Sequence, residues 1–196
     1  MAINAADVPA DVMEIFGRFP DIQRRALMTT WQGAVRVLPG ADQCIAWQMP
    51  SLRVDGELVL SLLGFQEHNS VFPGSGVIEA LGSKLAGLAT TKGTIQFDRD
   101  RPMKAPVVKA IVNARIAEIN GSFPRSNGQF KEFYPSGWLK AKGKMKSGQL
   151  HGKWEWFRRD GTLKRSGRFT DGRQVGTWTT YNAAGEPHKV TEFERN

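Results

Sequence analysis

Cysteine is almost absent: the 196 residues hold a single one, Cys44, so no disulfide can form within the chain. No stretch reaches the ~18 consecutive apolar residues of a membrane-spanning helix. The opening MAINAADVPADVME is acidic and lacks the apolar core of a signal peptide. A reducing, cytoplasmic setting without a transmembrane segment is therefore expected. Histidine is scarce too. His68, His151 and His188 lie far apart, and no Cys/His pair has metal-ligand spacing. The chain carries no Gly-x-Ser-x-Gly elbow and no phosphate-binding P-loop, and Cys44 has no histidine nearby in sequence. These absences argue against an enzyme and against a resident cofactor.

Acidic residues are short in one part only. Residues 1–120 balance 12 Lys+Arg against 12 Asp+Glu, whereas residues 121–196 hold 15 against 7 and carry the whole net charge of +8. A basic balance confined to one part marks a surface for an anionic partner. The stretch NGSFPRSNGQ at the junction is rich in Gly, Ser, Asn and Pro, the composition of a linker. The expected division is residues 1–120, a linker over 121–129, and a second part over 130–196.

The second part repeats itself. Phe130, Trp154 and Trp178 are spaced by 24, as are Phe133, Phe157 and Tyr181, Gly137, Gly161 and Gly185, and Met145, Phe169 and Phe193. A fixed period of this length signals a repeat array. Ser-Gly, Asp-Gly and Ala-Gly dipeptides punctuate short alternating runs, so each unit reads as a β-hairpin. One hairpin cannot bury its own faces, and stacked hairpins supply each other's core. The aromatics recurring at one position are the expected stacked core.

On these residues, KWEWFRRDGTLKRSGRFTDGRQVG above all, the segment Gln129–Phe193 resembles MORN repeats of the YwqK-like bacterial variant. Two units are complete and a third is decayed, with Thr191 where the others carry glycine. The resemblance implies a scaffolding or protein-binding role, contact with membrane lipid, or an antitoxin or immunity function.

Within LKAKGKMKSG, Lys140, Lys142, Lys144 and Lys146 alternate with Leu139, Ala141 and Met145. In an extended strand the lysines share one face and the apolar residues the other. One unit later the outward positions include Lys164 and Arg168; in the last unit Glu192 and Glu194 replace them. These six basic residues are either a solvated face that discourages edge-to-edge aggregation or contacts for an anionic partner, lipid or nucleic acid.

The first part changes period. Leu27, Trp31, Ala34, Val35 and Leu38 recur at helical spacing, and a shorter helix is expected from about Ala10 to Phe16. Ile45, Trp47 and Met49 alternate as a strand. LRVDGELVLSLLGF reads as two strands joined by Asp55-Gly56. HNSVFPGSG reads as a loop, followed by a helix with Ile78, Leu81, Leu85 and Leu88 inward. The strand GTIQF and a last helix with Val108, Ile111, Val112, Ile116 and Ile119 complete the order ααβββαβα. The expected fold is α+β, with helices on a mostly antiparallel sheet followed by an all-β array of stacked hairpins.

CIAWQMPSLRVDGELVLSLLGFQEHNSVFPG and LAGLATTKGTIQFDRDRPMKAPVVKAIVNARIAE resemble the YdhG-like family of small bacterial domains, from about Val8 to Asn120. That family is grouped with the YjbR/CyaY-like proteins, and the resemblance implies a frataxin-like intracellular iron chaperone. Hard iron sites want oxygen ligands held close together. Asp7, Asp11 and Glu14, at helical spacing, are the candidates for weak iron binding. The same spacing also suits solvated acids favoured by the helix dipole. A second candidate is an anion cleft made of Ser75 and Gly76 at a helix entry with Lys92 and Thr94 before a strand. The reading as a whole is a non-enzymatic binding protein with an array as its interaction surface.

Overall fold

Pro9 and Pro20 stand immediately before the first two helices, where a missing N–H costs nothing. The computed structural model describes residues 8–194 and divides the chain between Glu118 and Ile119 into two compact units.

The first unit runs α1 (Ala10–Gly17), α2 (Asp21–Val37), then strands β1 (Asp42–Ala46), β2 (Met49–Val54), β3 (Glu57–Gly64) and β4 (His68–Phe72). A short helix α3 (Ser75–Leu81), a 3-10 turn (Gly82–Leu85), strand β5 (Ile95–Asp98) and helix α4 (Ala105–Gly121) follow, the end of α4 after Glu118 being counted with the second unit. The five strands form one antiparallel sheet in chain order. The helical stripe of α2 is buried as its spacing requires: Leu27, Ala26, Trp31 and Ala34 are all within the core. Trp31 meets Phe16 of α1 edge-to-face at 5.9 Å and donates its indole N–H to the Gln43 side chain at 2.8 Å. A buried polar network fixes the far side. Gln23 donates to the Phe65 carbonyl and to the Asn69 side chain, while the Asn69 amide donates to the carbonyls of Asp98 and Arg99.

Three details depart from the sequence reading. The Ile45–Met49 alternation is not one strand, because Trp47 and Gln48 form the turn between β1 and β2 at φ +49° and +63°. HNSVF is strand β4 rather than loop. Its Asn69 and Ser70 are buried polar residues, so the run lacks the apolar alternation that announces a strand. The helix expected to reach Leu88 breaks at Gly82, which takes φ +45°. Asp55 and Gly56, at φ +45° and +84°, make the expected hairpin turn.

The second unit is a six-stranded antiparallel sheet in chain order: β6 (Gln129–Phe133), β7 (Leu139–Lys146), β8 (Gln149–Phe157), β9 (Leu163–Thr170), β10 (Arg173–Tyr181) and β11 (Pro187–Phe193). Two kinds of turn alternate. Ser147-Gly148 and Asp171-Gly172 are tight turns with both residues at positive φ. The longer turns repeat one pattern at the 24-residue step: the N–H groups of Tyr134, Arg158 and Asn182 bond the carbonyls of Trp138, Thr162 and Glu186. The segment 121–129 is ordered within this unit. Phe123 is buried and packs on Phe130 at 6.4 Å, and the Gly128 carbonyl accepts from Met145 N–H.

Each repeat seats a tryptophan on a glycine. Trp154 lies over Gly143 and Trp178 over Gly167, each ring filling the space that a side chain there would need. The indole N–H groups donate to the carbonyls of Lys144 and Arg168 at 3.1 and 3.2 Å. The stack is denser than the 24-residue spacing implies. Trp154 stacks on Phe130 at 5.3 Å, but Trp156 stands between Trp154 and Trp178, at 5.6 and 5.7 Å. Phe169 meets both buried tryptophans edge-on, and Phe193 does the same to Trp178. Aromatic contacts of this kind contribute about 0.5–1.5 kcal/mol each beyond the area they bury.

Candidate interaction surface

Strand pairing sorts the array into two faces. Directly paired residues point the same way, so Gly143, Trp154, Trp156, Gly167 and Phe169 share the aromatic face. Lys142, Lys144 and Lys146 pair with Glu155, His151 and Gln149 and point the other way. Lys153 pairs with Arg168 on that same side, and Arg173 with Thr170. By strand alternation the expected set Lys140, Lys142, Lys144, Lys146, Lys164 and Arg168 falls on this face. Three cations that the sequence reading left out join it: Lys131, opposite Lys142, then Lys153 and Arg173. The signal for Lys153 was available, since KWEWF also alternates, with lysine at the parity opposite to tryptophan.

Acids answer only part of this charge. Lys140 pairs with Glu132 at 2.6 Å, while Glu155 takes both Lys153 at 2.6 Å and Lys142 at 3.3 Å. Burial raises the Glu155 pKa, but hydrogen bonds from the two ammonium groups outweigh it and hold the carboxyl below its ordinary value. Lys144, Lys146, Lys164, Arg168 and Arg173 are exposed and form no ion pair among the described residues. Three rings on this side have partners or are buried. Phe157 is covered by the Lys142 ammonium at 5.4 Å, Phe133 is buried, and the Tyr181 hydroxyl is tied to Ser166 at 3.1 Å.

The other candidates are placed differently. Asp7 lies outside the described residues. Asp11 is spent on the N–H of Val12, and Glu14 pairs with Arg18 at 2.9 Å on an exposed helix face. Among the described residues no group of three or more His, Cys, Asp or Glu side chains is arranged to hold a metal ion. At the entry to α3, the Glu118 carboxylate lies against Gly76 where a side chain there would sit, and Arg115 binds that carboxylate at 2.6 Å. The negative charge that the Ser75-Gly76 entry attracts is thus supplied by the protein. Lys92 is exposed, and Thr94 accepts from Thr91 N–H through its carbonyl in the turn before β5. No hydrogen bond joins either residue to Ser75. No helix among the described residues is long and apolar enough to cross a membrane.

Trp47 stands at a backbone angle that large side chains rarely adopt and, at 72%, is the most exposed large apolar residue among the described residues of the first unit.

Comparison with known proteins bears on both units. Residues 126–147 match the MORN repeat variant family, which covers β6, β7 and the turn between them. No curated protein matches. Among solved structures, a crystal structure of a DUF1801-family protein, YdhG of Bacillus subtilis, superposes with a TM-score of 0.52 at 18% identity, over 56% of this chain and 92% of that one. That likeness is one of fold. Neither comparison supports the frataxin-like, YjbR-type grouping drawn from the sequence resemblance. The chain joins an α+β unit to an antiparallel hairpin array that carries a MORN-type repeat.

Proposed function

We propose that this protein is a non-enzymatic binding protein, working in the cytoplasm, whose hairpin array is the interaction surface. One observation carries the reading: five basic side chains without an acidic partner share one face of the sheet, Lys144, Lys146, Lys164, Arg168 and Arg173. Surplus charge of one sign on an open face attracts and orients an oppositely charged partner. The MORN-type match at 126–147 lies in the same sheet and supports a scaffold role. The reading requires no cofactor. An iron-chaperone role draws no support from Glu14, whose carboxylate is engaged by Arg18.

Photo-crosslinking tests this assignment in the full chain. A photoreactive residue replacing Lys146 or Arg168 is expected to capture a macromolecular partner in a cell extract, and one replacing exposed Glu79 of the first unit is not. Capture from Glu79 alone, or from neither face, overturns the proposal.

A further inference from the structure

We infer that the partner of the cationic face is a nucleic-acid duplex, held by its phosphates and read without regard to base sequence; this names the partner class for the binding role proposed above and rests on it.

The register of the sheet is the first argument. Lys153 faces Arg168 across neighbouring strands, and Lys144 and Lys146 stand exposed on the same face. Side chains so opposed stand about 5 Å apart, and like charges in that position destabilise a sheet. A face kept only for solubility gains nothing from such opposition, since alternating signs would serve equally well. Glu155 binds Lys142 and Lys153, Glu132 binds Lys140 and Asp171 stands 3.4 Å from His151, but among the described residues no acid pairs with Lys144, Lys146, Lys164, Arg168 or Arg173. A polyanion laid across the strands would relieve the remainder, and its bound counterions would be released to solution.

The second argument separates a duplex from a single strand. Proteins that hold single strands without sequence preference offer aromatic platforms on which bases stack. Here Trp154 and Trp156 lie on the opposite face, and Phe157 is covered by an ammonium group. Three of the five free cations are lysines, whose ammonium meets a phosphate as a point charge. What remains is contact with phosphate, which suits a duplex whose bases are already stacked and paired.

The third argument is extent. The free cations span β7, β9 and β10, from Lys146 to Arg173. Glu192 of β11 lies opposite Thr177 and closes the basic region at the end of the sheet.

The test measures affinity of the full chain by fluorescence anisotropy for two DNA duplexes of unrelated sequence, for a thymidine single strand and for a polyglutamate peptide. Salt is varied between about 50 and 200 mM. Five phosphate contacts predict a log-affinity slope against log salt of about −4.5, equal for the two duplexes. Changing Lys144, Lys146, Lys164 and Arg168 together to glutamine should weaken duplex binding at least tenfold and flatten the slope to about −1. The same change at Lys84, Lys104 and Lys109 of the first unit should alter neither. Should the fourfold variant lose its circular-dichroism spectrum, the single variant Lys146→Glu and the slope of the native chain decide instead. Absence of duplex binding at the lowest salt, a preference between the two duplexes, tighter binding of the single strand, or equal loss from the first-unit variant overturns the inference. Binding of polyglutamate without the duplex also overturns it, while leaving the array as a binding surface. Crosslinks from neither Lys146 nor Arg168 would sink both.

Discussion

Trp154 occupies the space that any side chain on Gly143 would need. The requirement is steric and local, because the atoms in the way belong to a ring held between Phe130 and Trp156. Replacing Gly143 with alanine is expected to destabilise the array by about 1–3 kcal/mol, the usual cost of overpacking a filled site. Gly167→Ala should do the same beneath Trp178. Gly121 has open space around it, and alanine there should cost far less. Hydrogen exchange of array peptides would separate these outcomes, and equal effects at Gly143 and Gly121 would refute the seat.

Truncating the tryptophan itself is a harsher change. Trp154→Ala removes a ring that is 3% exposed and leaves the Lys144 carbonyl without its indole donor. The expected loss is about 3–5 kcal/mol, as for other buried large aromatics. Trp156→Ala should cost less in burial but should weaken the contact between neighbouring units, since Trp156 bridges Trp154 and Trp178. A broader, less cooperative urea transition in Trp156→Ala than in Trp154→Ala would fit this division.

The turn at Trp47-Gln48 is expensive. Both residues hold left-handed backbone angles that cost non-glycine residues roughly 1–2 kcal/mol each. Gln48→Gly should therefore stabilise the first unit by about 1 kcal/mol in urea denaturation. No gain would mean that the side chain compensates through contacts of its own.

Asn69 is fully buried and serves two carbonyls and the Gln23 amide. Asn69→Ala would remove the side-chain donor to the Asp98 and Arg99 carbonyls and leave the Gln23 amide only the Phe65 carbonyl, and should cost about 3 kcal/mol. Asn69→Asp should fare no better, because a carboxylate cannot donate to the Asp98 and Arg99 carbonyls. A loss below about 0.5 kcal/mol, typical of surface sites, would contradict the network.

Glu155 makes stability depend on pH. Its folded pKa lies below the unfolded value of about 4.3. The stabilisation is thus complete above the unfolded pKa and is lost as pH falls through the folded one. Glu155→Gln should be less stable than the native chain at pH 7, and the gap should close in acid. A gap that is constant over that range would remove the ion pairs from the account.

How much of this was legible in the sequence depended on the kind of signal. The 24-residue step and the Ser147-Gly148, Asp171-Gly172 and Asp55-Gly56 turns are written in glycine and aromatic positions, and they fold as their chemistry dictates. Strand β4 was illegible because Asn69 and Ser70 are buried for reasons that lie on other elements. The Trp47-Gln48 turn was hidden because neither residue belongs to the turn-forming types. On the cationic face, Lys142, Lys144 and Lys146 pair in turn with Glu155, His151 and Gln149. The opposition of Lys131 with Lys142 and of Lys153 with Arg168 needed the strand register, which turns and bulges set.

The chain-order arrangement of β6 to β11 has a mechanical consequence. Every strand bonds only to its neighbours in sequence, so the array closes no long loop as it forms and should assemble quickly, hairpin upon hairpin. The same connectivity gives it little resistance to a pull along the chain. Load applied at the end of β11 meets one ladder at a time and should peel the sheet strand by strand. A sheet whose strands interleave would instead have to rupture several ladders together.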